Sequence, residues 1–480
     1  MRLLFSCSRS IAWVAAAAAL LSGSAGAETP AADANARLAR ALETALSARA
    51  LRGAEIGALV VDDADGRALF ARHPDRPLVP ASNLKILTAL AALRAFGPSH
   101  AFTTRVFADA PPDAEGAVDT LIVQGGGDPG LTSEDLWRLA ADLRRGGLRH
   151  VRAGIALDDS LFDGERWHPS WLPTSARAYH APVGAFMANY GAFAVVVGGG
   201  ERDGVPVDVT IDPPVDFFRV ANRAKTGGGR VLVVDRRAVE GAEEVIVGGS
   251  WPRGAERTFH RSVLDPGGYA ASVLRAQLEA MGIRVEGSVR QAYVPEGATE
   301  LVAFEGRPVS SVVQRFLKYS SNPIGEALVK ALAVHAGGVP GTWAEGVVAV
   351  RRELDALGLP TEGLVQVDGS GLSYANRVTP RLLVEALRTG AHSFEYGPEL
   401  LAGLPIGGAD GTLAKRAEAA GAQVRAKTGL LTRITGLTGL ARRSDGTTLA
   451  FSIVVNGFRG GASEAMDAVD AFAAALVSTP

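Results

Sequence analysis

The spacing of apolar residues predicts helices at both ends of the chain and through its second half. Leu38, Leu42 and Leu46 recur every four residues in an alanine-rich stretch, which is typical of one face of an α-helix. A second helix is predicted to open at Pro80-Ala81-Ser82, because proline and serine favour a first turn and apolar residues follow at helical spacing. Further helices are predicted over 309–317, 325–335, 341–357, 380–389 and 463–476.

Alternating apolar and polar residues predict two β-hairpins, one near each end of the chain. The first spans 56–72 and the second spans 437–456, and each turns at an Asp-Gly pair. We expect both hairpins to lie in one antiparallel sheet covered by helices, which is an α/β (α+β) architecture.

The middle of the chain has a different pattern, with many glycines and short valine-rich segments such as 207–211 and 231–234. Such segments favour strands and turns over long helices. The sequence therefore predicts one catalytic domain made from 28–98 and 305–480. A β-rich insertion over 99–304, with two subdomains, is predicted to interrupt it.

The N-terminus has the pattern of an export signal, predicted to span 1–27. Two arginines precede the apolar run Ile11–Leu21, and Ala25-Gly26-Ala27 offers a small-residue cleavage site. Eleven apolar residues are too few for a membrane span, which needs about 20. We therefore expect cleavage, no transmembrane anchor in the mature protein, and a periplasmic or other extracytoplasmic location.

Composition excludes several classes of protein. With 49 basic and 51 acidic residues the net charge is only −2, so nothing in the charge favours nucleic-acid binding. The one cysteine, Cys7, lies in the predicted signal, so the mature chain has no disulfide, cysteine nucleophile or cysteine-bound zinc. The eight histidines form no helical pair of the zinc-peptidase type, and we expect neither a metal nor a cofactor.

Three short motifs with hydroxyl, amide and lysine side chains follow one another along the chain. Ser82-Asn83-Leu84-Lys85 is an S-x-x-K motif, Ser320-Ser321-Asn322 is S-x-N, and Lys427-Thr428-Gly429 is K-T-G. Each could be a helix cap or a strand end if it stood alone. A second K-T-G at 225–227 runs into two more glycines, which is typical of a flexible turn.

The residue types of these motifs suit acyl transfer by a serine. Positions three apart share a helix face, so Ser82 Oγ and Lys85 Nζ can meet. A neutral lysine can accept the serine proton if burial and a nearby cation lower its pKa. Lys427 is a candidate for that cation and for binding a substrate carboxylate, and Ser320 is a candidate proton relay.

The ordered trio resembles the penicillin-binding proteins and serine β-lactamases. Additional stretches make the chain similar to the class C low-molecular-mass penicillin-binding proteins, the D-alanyl-D-alanine carboxypeptidase/endopeptidase family. Those stretches are 80–93, 127–135, 157–162, 367–373 and 404–412. The resemblance implies a penicillin-binding/β-lactamase-like core with a β-rich insertion between the first two motifs, and the 238 residues from 82 to 320 leave room for it.

The resemblance also implies a role for each motif residue. Ser82 would be the acylated nucleophile, Lys85 the general base and Ser320 the proton relay. The backbone N–H groups of Ser82 and Leu430 would form the oxyanion hole. The residues implied to bind substrate are Asn322, Lys427, Thr428, Gly429, Leu430 and, for the free amine of a stem peptide, Asp158. Leu430 departs from the family, which commonly has a hydroxyl residue directly after K-T-G.

The implied function is hydrolysis of D-alanyl-D-alanine bonds in peptidoglycan stem peptides, with cleavage of cross-bridges as a second activity. Its partners would be stem peptides, with β-lactam antibiotics as covalent inhibitors. A serine β-lactamase is the alternative enzyme, but no Glu-x-x-x-Asn pattern between the first two motifs supplies a deacylating water. A non-catalytic cell-wall-binding scaffold of the same fold is the alternative without chemistry. A Ser-His-Asp hydrolase is disfavoured because Gly369-Ser370-Gly371 lacks the full G-x-S-x-G elbow.

Overall fold

The computed structural model describes residues 30–479, and side chains from 34 onward. The predicted export signal over 1–27 lies outside the described residues. Within 30–479 the structure contains no helix that is both long enough and apolar enough to cross a membrane.

The helices lie at the two ends of the described chain and through its second half, with two more in the middle. In chain order they are α1 Pro30–Leu46, α2 Lys85–Phe96, α3 Ser133–Arg145, α4 Pro266–Ala280, α5 Val309–Lys318, α6 Asn322–His335, α7 Trp343–Ala356, α8 Pro380–Ala391, α9 Gly397–Gly403 and α10 Ala462–Ser478.

The strands cluster near both ends and fill the middle of the chain. In chain order they are β1 Glu55–Asp62, β2 Ala68–Arg72, β3 Ala101–Ala108, β4 Ala117–Gln124, β5 His150–Asp158, β6 Ala192–Gly198, β7 Asp208–Asp212, β8 Phe218–Asn222, β9 Lys225–Thr226, β10 Val231–Val239, β11 Ala242–Trp251, β12 Glu256–Ser262, β13 Arg284–Val285, β14 Ser288–Gln291, β15 Thr299–Pro308, β16 Val424–Leu431, β17 Ile434–Arg442 and β18 Thr448–Asn456.

One antiparallel sheet combines both ends of the chain, in the order β16-β17-β18-β1-β2. Strand β1 pairs with β18 over its whole length, from Glu55 opposite Asn456 to Asp62 opposite Leu449. The prediction that the two terminal hairpins share a sheet is therefore confirmed. In this order β16 is an edge strand, so one row of its backbone groups is free to face other parts of the molecule.

Helices cover both faces of this sheet. Leucines of α1, including Leu38 and Leu42, are buried with Phe451 of β18 and Phe472 of α10 in one apolar core. On the other face, α2 and α5–α8 form a larger core that includes Leu87, which is fully buried. Helix α2 is buried along most of its length, so the residues just before it are held rigidly.

The middle of the chain forms three further sheets. One has the order β13-β5-β4-β3-β15 with β14 beside β5, a second β12-β6-β7, and a third β10-β11-β8 with β9 beside β11. Helices α3 and α4 pack together and contribute Leu139, Tyr269 and Leu274 to their shared core. The sequence did not predict these two helices within the β-rich insertion.

Candidate active site

Ser82 and Lys85 lie on a short turn that leads into α2. Residues Ala81–Leu84 form a 3₁₀ turn, and Lys85 is the first residue of the α-helix. Ala81 has a φ of 48°, a left-handed value that is uncommon for a residue with a Cβ and is typical of sites held by their surroundings. Lys85 Nζ lies 2.8 Å from Ser82 Oγ, so the two side chains meet as their spacing suggested.

Lys85 is completely buried and has three acceptors for its amine. Besides Ser82, Nζ contacts Asn322 Oδ1 at 2.8 Å and the Ser370 carbonyl at 2.7 Å. Burial lowers the pKa of Lys85 to about 7, although the nearby carboxyl groups of Asp368 and Glu326 act to raise it. An amine with this pKa is partly neutral near pH 7 and can accept a proton.

Asn322 is the first residue of α6 and links the amine of Lys85 to the middle region. Its Oδ1 accepts from Lys85, and its Nδ2 donates to the Tyr179 carbonyl at 2.9 Å. Assignment of the two amide atoms follows from these partners, because only Oδ1 can accept from an amine. One hydrogen of Nδ2 remains for a further acceptor.

Ser320 and Lys427 form a second hydroxyl–amine pair. Lys427 Nζ donates to Ser320 Oγ and to the Thr428 carbonyl, each at 2.9 Å. Lys427 is completely buried, and burial, the amine of Lys85 and the guanidinium of Arg416 together lower its pKa well below the ordinary value. Ser320 has a φ of 57°, the left-handed region, in the connection between α5 and α6.

The K-T-G segment lies on β16 and packs against the turn that carries Ser82. A Cβ on Gly429 would lie 2.4 Å from Asn83 Nδ2 and 2.8 Å from the Pro80 carbonyl, so only glycine allows this approach. The Thr428 hydroxyl forms a hydrogen bond of 2.8 Å with the hydroxyl of Thr412.

Leu430 follows on the same edge strand, with its side chain 47% exposed. The Ala426 N–H donates to the Pro405 carbonyl and so points away from β17, toward the open edge of the sheet. Backbone direction alternates with a period of two along a strand, so the N–H groups of Thr428 and Leu430 face the same edge. The Leu430 N–H therefore faces the open edge of β16, one residue after the glycine that packs against the Ser82 turn.

Two buried carboxyl groups, those of Asp368 and Glu326, lie close to this cluster, and neither belongs to the three motifs. Asp368 accepts hydrogen bonds from two backbone N–H groups, the Asn376 amide and the Trp171 indole. Glu326 lies one helical turn after Asn322 and accepts from Trp343 and from the Gly369 N–H. The spacing of four between Asn322 and Glu326 was the available signal, since such residues share a helix face.

Asp158 and the second K-T-G lie apart from this cluster. The Asp158 carboxylate ends β5 and is occupied by the N–H and hydroxyl of Ser160, by Gln124 and by the Val294 N–H. Burial raises the pKa of Asp158, but these hydrogen bonds outweigh it and lower the value overall. Lys225 begins the two-residue strand β9 beside β11, where its side chain is exposed. The structure therefore brings together eight of the nine predicted site residues.

The chain is similar to known proteins over most of its length. A family model matches residues 38–476, nearly the whole described chain. The chain belongs to the D-Ala-D-Ala carboxypeptidase 3 (S13) family. A D-alanyl-D-alanine carboxypeptidase from an Actinomadura species is 36% identical over 455 residues, which cover 91% of this chain and 83% of that protein. The carboxypeptidase DacB of Haemophilus influenzae is 26% identical over 401 residues, 80% of this chain and 81% of that one.

Solved structures have the same fold. Penicillin binding protein 4 of Haemophilus influenzae superposes with a TM-score of 0.77 at 23% identity, covering 91% of this chain and 98% of that one. The predicted family and fold class are confirmed, and family membership makes the chain a serine-type D-Ala-D-Ala carboxypeptidase. Among residues 30–479 the structure contains no group of three or more histidine, cysteine, aspartate or glutamate side chains placed to hold a metal ion.

Proposed function

We propose that this carboxypeptidase hydrolyses the terminal D-alanyl-D-alanine bond of peptidoglycan stem peptides through an acyl-enzyme on Ser82. The observation that carries the proposal is the contact of 2.8 Å between Ser82 Oγ and the buried amine of Lys85. An amine with a pKa of about 7 serves as a base at neutral pH, which an exposed lysine does not. Export to the periplasm, where such a substrate lies, is part of the proposal.

In the acylation step, Lys85 takes the hydroxyl proton and Ser82 Oγ bonds to the carbonyl carbon of the penultimate D-alanine. The N–H groups of Ser82 and Leu430 stabilise the oxyanion that develops there. The bond to the terminal D-alanine then breaks. The proton that Lys85 took from Ser82 is passed on to the leaving amine, with Ser320 as the relay. Water activated by Lys85 hydrolyses the ester and restores Ser82.

Lys427 and Thr428 are proposed to hold the carboxylate of the leaving D-alanine. In the free enzyme, burial and the amine of Lys85 lower the pKa of Lys427, so its positive charge is not stabilised there. A substrate carboxylate would favour the protonated form, because an opposite charge close to a buried amine raises its pKa. Binding of the substrate carboxylate and protonation of Lys427 are therefore coupled. The same groups would hold the carboxylate of a β-lactam, which we propose as a covalent inhibitor.

If the Leu430 N–H binds the oxyanion, the rate of acylation should depend strongly on that N–H and only weakly on the side chain at position 430. Leu430→Thr is expected to change the rate of acylation by a fluorescent penicillin by about tenfold or less, or about 1.4 kcal/mol. Leu430→Pro removes the N–H, and loss of such a donor costs about a hundred- to thousandfold. Circular dichroism and melting must first show that the proline variant is folded. A folded Leu430→Pro protein that acylates at the wild-type rate contradicts the assignment.

We also propose cleavage of D,D-cross-bridges as a second activity. A cavity of about 700 Å³ adjoins Ser320 and Asn322 and is lined on its far side by Ala194, Asp212 and Gln277 of the middle region. A terminal D-alanine does not need this space, whereas the leaving group of a cross-bridge carries a whole second peptide. The cavity supports the proposal that the enzyme accepts this larger leaving group.

Incubation with purified cross-linked muropeptides, followed by mass spectrometry, tests both activities at once. Release of D-alanine reports carboxypeptidase activity, and conversion of dimers to monomers reports endopeptidase activity. Absence of both products from a protein that is acylated by penicillin contradicts the proposed function.

Filling the cavity is expected to separate the two activities. Ala194 is half-buried on β6, and Ala194→Trp is expected to lower dimer cleavage by about tenfold or more while D-alanine release changes by less than about threefold. Val233→Trp, at an exposed position of β10 away from the cavity, is the control and should change neither. Equal loss of both activities in Ala194→Trp contradicts the role given to the cavity.

A further inference from the structure

Glu326 is a buried carboxyl group beneath the lysine that the proposed mechanism uses as a base. It lies on α6, and its side chain is completely buried. Its Oε2 accepts from the Trp343 indole at 2.7 Å and from the Gly369 N–H at 3.0 Å. The Gly369 carbonyl accepts from the Thr88 hydroxyl, and the carbonyl after it, on Ser370, accepts from Lys85 Nζ at 2.7 Å. Glu326 thus holds the start of the short segment that carries a direct acceptor of the amine.

The two carboxyl groups in this region have different surroundings. The oxygens of Asp368 accept four hydrogen bonds, from the N–H groups of 371 and 373 at 2.8 and 2.7 Å and from Asn376 and Trp171 at 2.9 and 3.0 Å. These four donors satisfy both oxygens of the buried carboxyl group. Both hydrogen bonds to Glu326 go to Oε2, while its Oε1 is buried beside the hydroxyl of Ser370.

Burial is the main influence on Glu326, and together with the charge of Asp368 it raises the pKa of Glu326 to about 8, although hydrogen bonds from Gly369, Ser370 and Trp343 act to lower it. Other charged groups near this region are Lys85 on α2 and Lys330 on α6. Lys330 is held by Asp163 and lies over the outer face of the Trp343 ring, 3.8 Å from its centre. The hydrogen bonds of the Lys330 amine go to Asp163 and the Glu165 carbonyl, and none goes to Glu326. A neutral acid is the form that these surroundings favour at pH 7.

We propose that Glu326 is a positioning residue that acts as a neutral carboxylic acid. Through the Gly369 N–H it holds the segment whose Ser370 carbonyl binds Lys85, without adding a second negative charge near the amine. This inference rests on the role proposed above for Lys85 as a base. Its consequence is electrostatic, because each buried carboxylate near an amine stabilises the protonated amine. An ionised Glu326 would add to Asp368 in raising the pKa of Lys85, whereas with Glu326 neutral only the charge of Asp368 opposes deprotonation of Lys85.

The pH dependence of acylation tests the protonation state of Glu326. The rate with a fluorescent penicillin is measured from pH 5 to 9 for the wild type, Glu326→Gln and Asp368→Asn. Glutamine matches a neutral acid in shape, so the acidic midpoint of Glu326→Gln is expected to stay within about 0.3 pH units of the wild type, with a rate lowered at most about tenfold. Asp368→Asn removes an anion and is expected to lower the midpoint by about one unit.

A Glu326→Gln protein whose midpoint falls by a unit or more overturns the proposal, because a negative charge would then have been removed. A folded Glu326→Gln protein that is inactive at every pH also overturns it, since a neutral isostere should replace a neutral acid. A midpoint that stays unmoved in a folded Asp368→Asn protein also overturns the proposal, because buried negative charge would then have no effect on Lys85.

Two further measurements are independent of the proposed function. At pH 7, the infrared spectrum of the wild type minus that of Glu326→Gln is expected to contain the carbonyl band of a protonated carboxylic acid. Glu345→Gln, at an exposed site of α7, is the control, and its difference spectrum should lack this band. A native pKa of about 8 also means that the wild type loses stability as pH rises from about 4.5 to 8, where only the unfolded chain ionises. The melting temperature of Glu326→Gln should therefore rise relative to the wild type across that range. Absence of both effects overturns the proposal even if the enzyme is fully active.

Discussion

A Ser82→Ala protein is expected to form no covalent adduct with a fluorescent penicillin, whereas the wild type is labelled at Ser82. The strained lactam resembles the acyl donor, and its carbonyl needs a nucleophile that alanine lacks. The substitution should leave the fold intact, because Lys85 keeps Asn322 Oδ1 and the Ser370 carbonyl as acceptors. Gel fluorescence and peptide mapping measure the adduct. Ser272→Ala on α4, far along the middle region, is the control and should label normally.

Each result of that experiment distinguishes one of the functions considered from the sequence. Labelling of Ser82→Ala at the wild-type level would show that the nucleophile is another residue. A folded wild-type protein without labelling would favour the non-catalytic cell-wall-binding scaffold. Rapid release of hydrolysed penicillin from the wild type would favour a β-lactamase, which differs from a carboxypeptidase in the speed of deacylation.

The parts of the site that sequence predicts well are those in which local spacing fixes the geometry. Ser82 and Lys85 are three residues apart at a helix start, so their contact follows from helical periodicity alone. The terminal hairpins each carried a turn signal, and burial of both faces of their sheet required helices on either side. The meeting of Ser320 with Lys427 is different, because 107 residues separate them and only the ordered trio of motifs predicted it.

The parts that sequence did not predict depend on contacts between distant segments. The Tyr179 carbonyl binds Asn322, and a backbone carbonyl leaves no trace in residue identity. The Trp171 indole donates to Asp368, so the segment before β6 helps to build the site although it was assigned to the insertion. Strand β15 pairs with β3 as far as Pro308, beyond the predicted boundary at 304. The strand thus crosses the predicted boundary between the insertion and the catalytic domain, and the domain limits given from the sequence stay a prediction.

The helices of the middle region were missed for a local reason. Helix α4 begins with Pro266-Gly267-Gly268, a combination that is typical of turns. Its N-terminal Asp265 nevertheless accepts from the Gly268 N–H at 3.0 Å, and Tyr269 and Leu274 supply the buried face. Packing against α3 thus outweighs a weak intrinsic preference for helix.

Lys85→Arg is expected to abolish acylation at every pH, with a loss of about a thousandfold or more, while the wild-type rate depends steeply on pH. Only the neutral amine can accept the serine proton. With a pKa of about 7 for Lys85, the wild-type rate should increase about tenfold from pH 5 to 6 and level off above about pH 8. A guanidinium stays protonated throughout this range, so no such increase should appear in the variant. Stopped-flow measurement of acylation over this range is the test.

The matched substitution Lys427→Arg distinguishes a base from a group that binds a carboxylate. Arginine carries a positive charge that can bind a carboxylate, so this variant is expected to retain more activity than Lys85→Arg. Its rate should still rise with pH because Lys85 remains the base, with a midpoint at or below pH 7, since a permanent cation beside Lys85 lowers the pKa of that amine. Both lysines are completely buried, so a larger side chain strains both sites alike and melting must show that each variant is folded. If folded Lys85→Arg is the more active of the two, the roles are exchanged and Lys427 is the base. That result would also remove the reason for a neutral Glu326, since the amine it neighbours would no longer need to lose its proton.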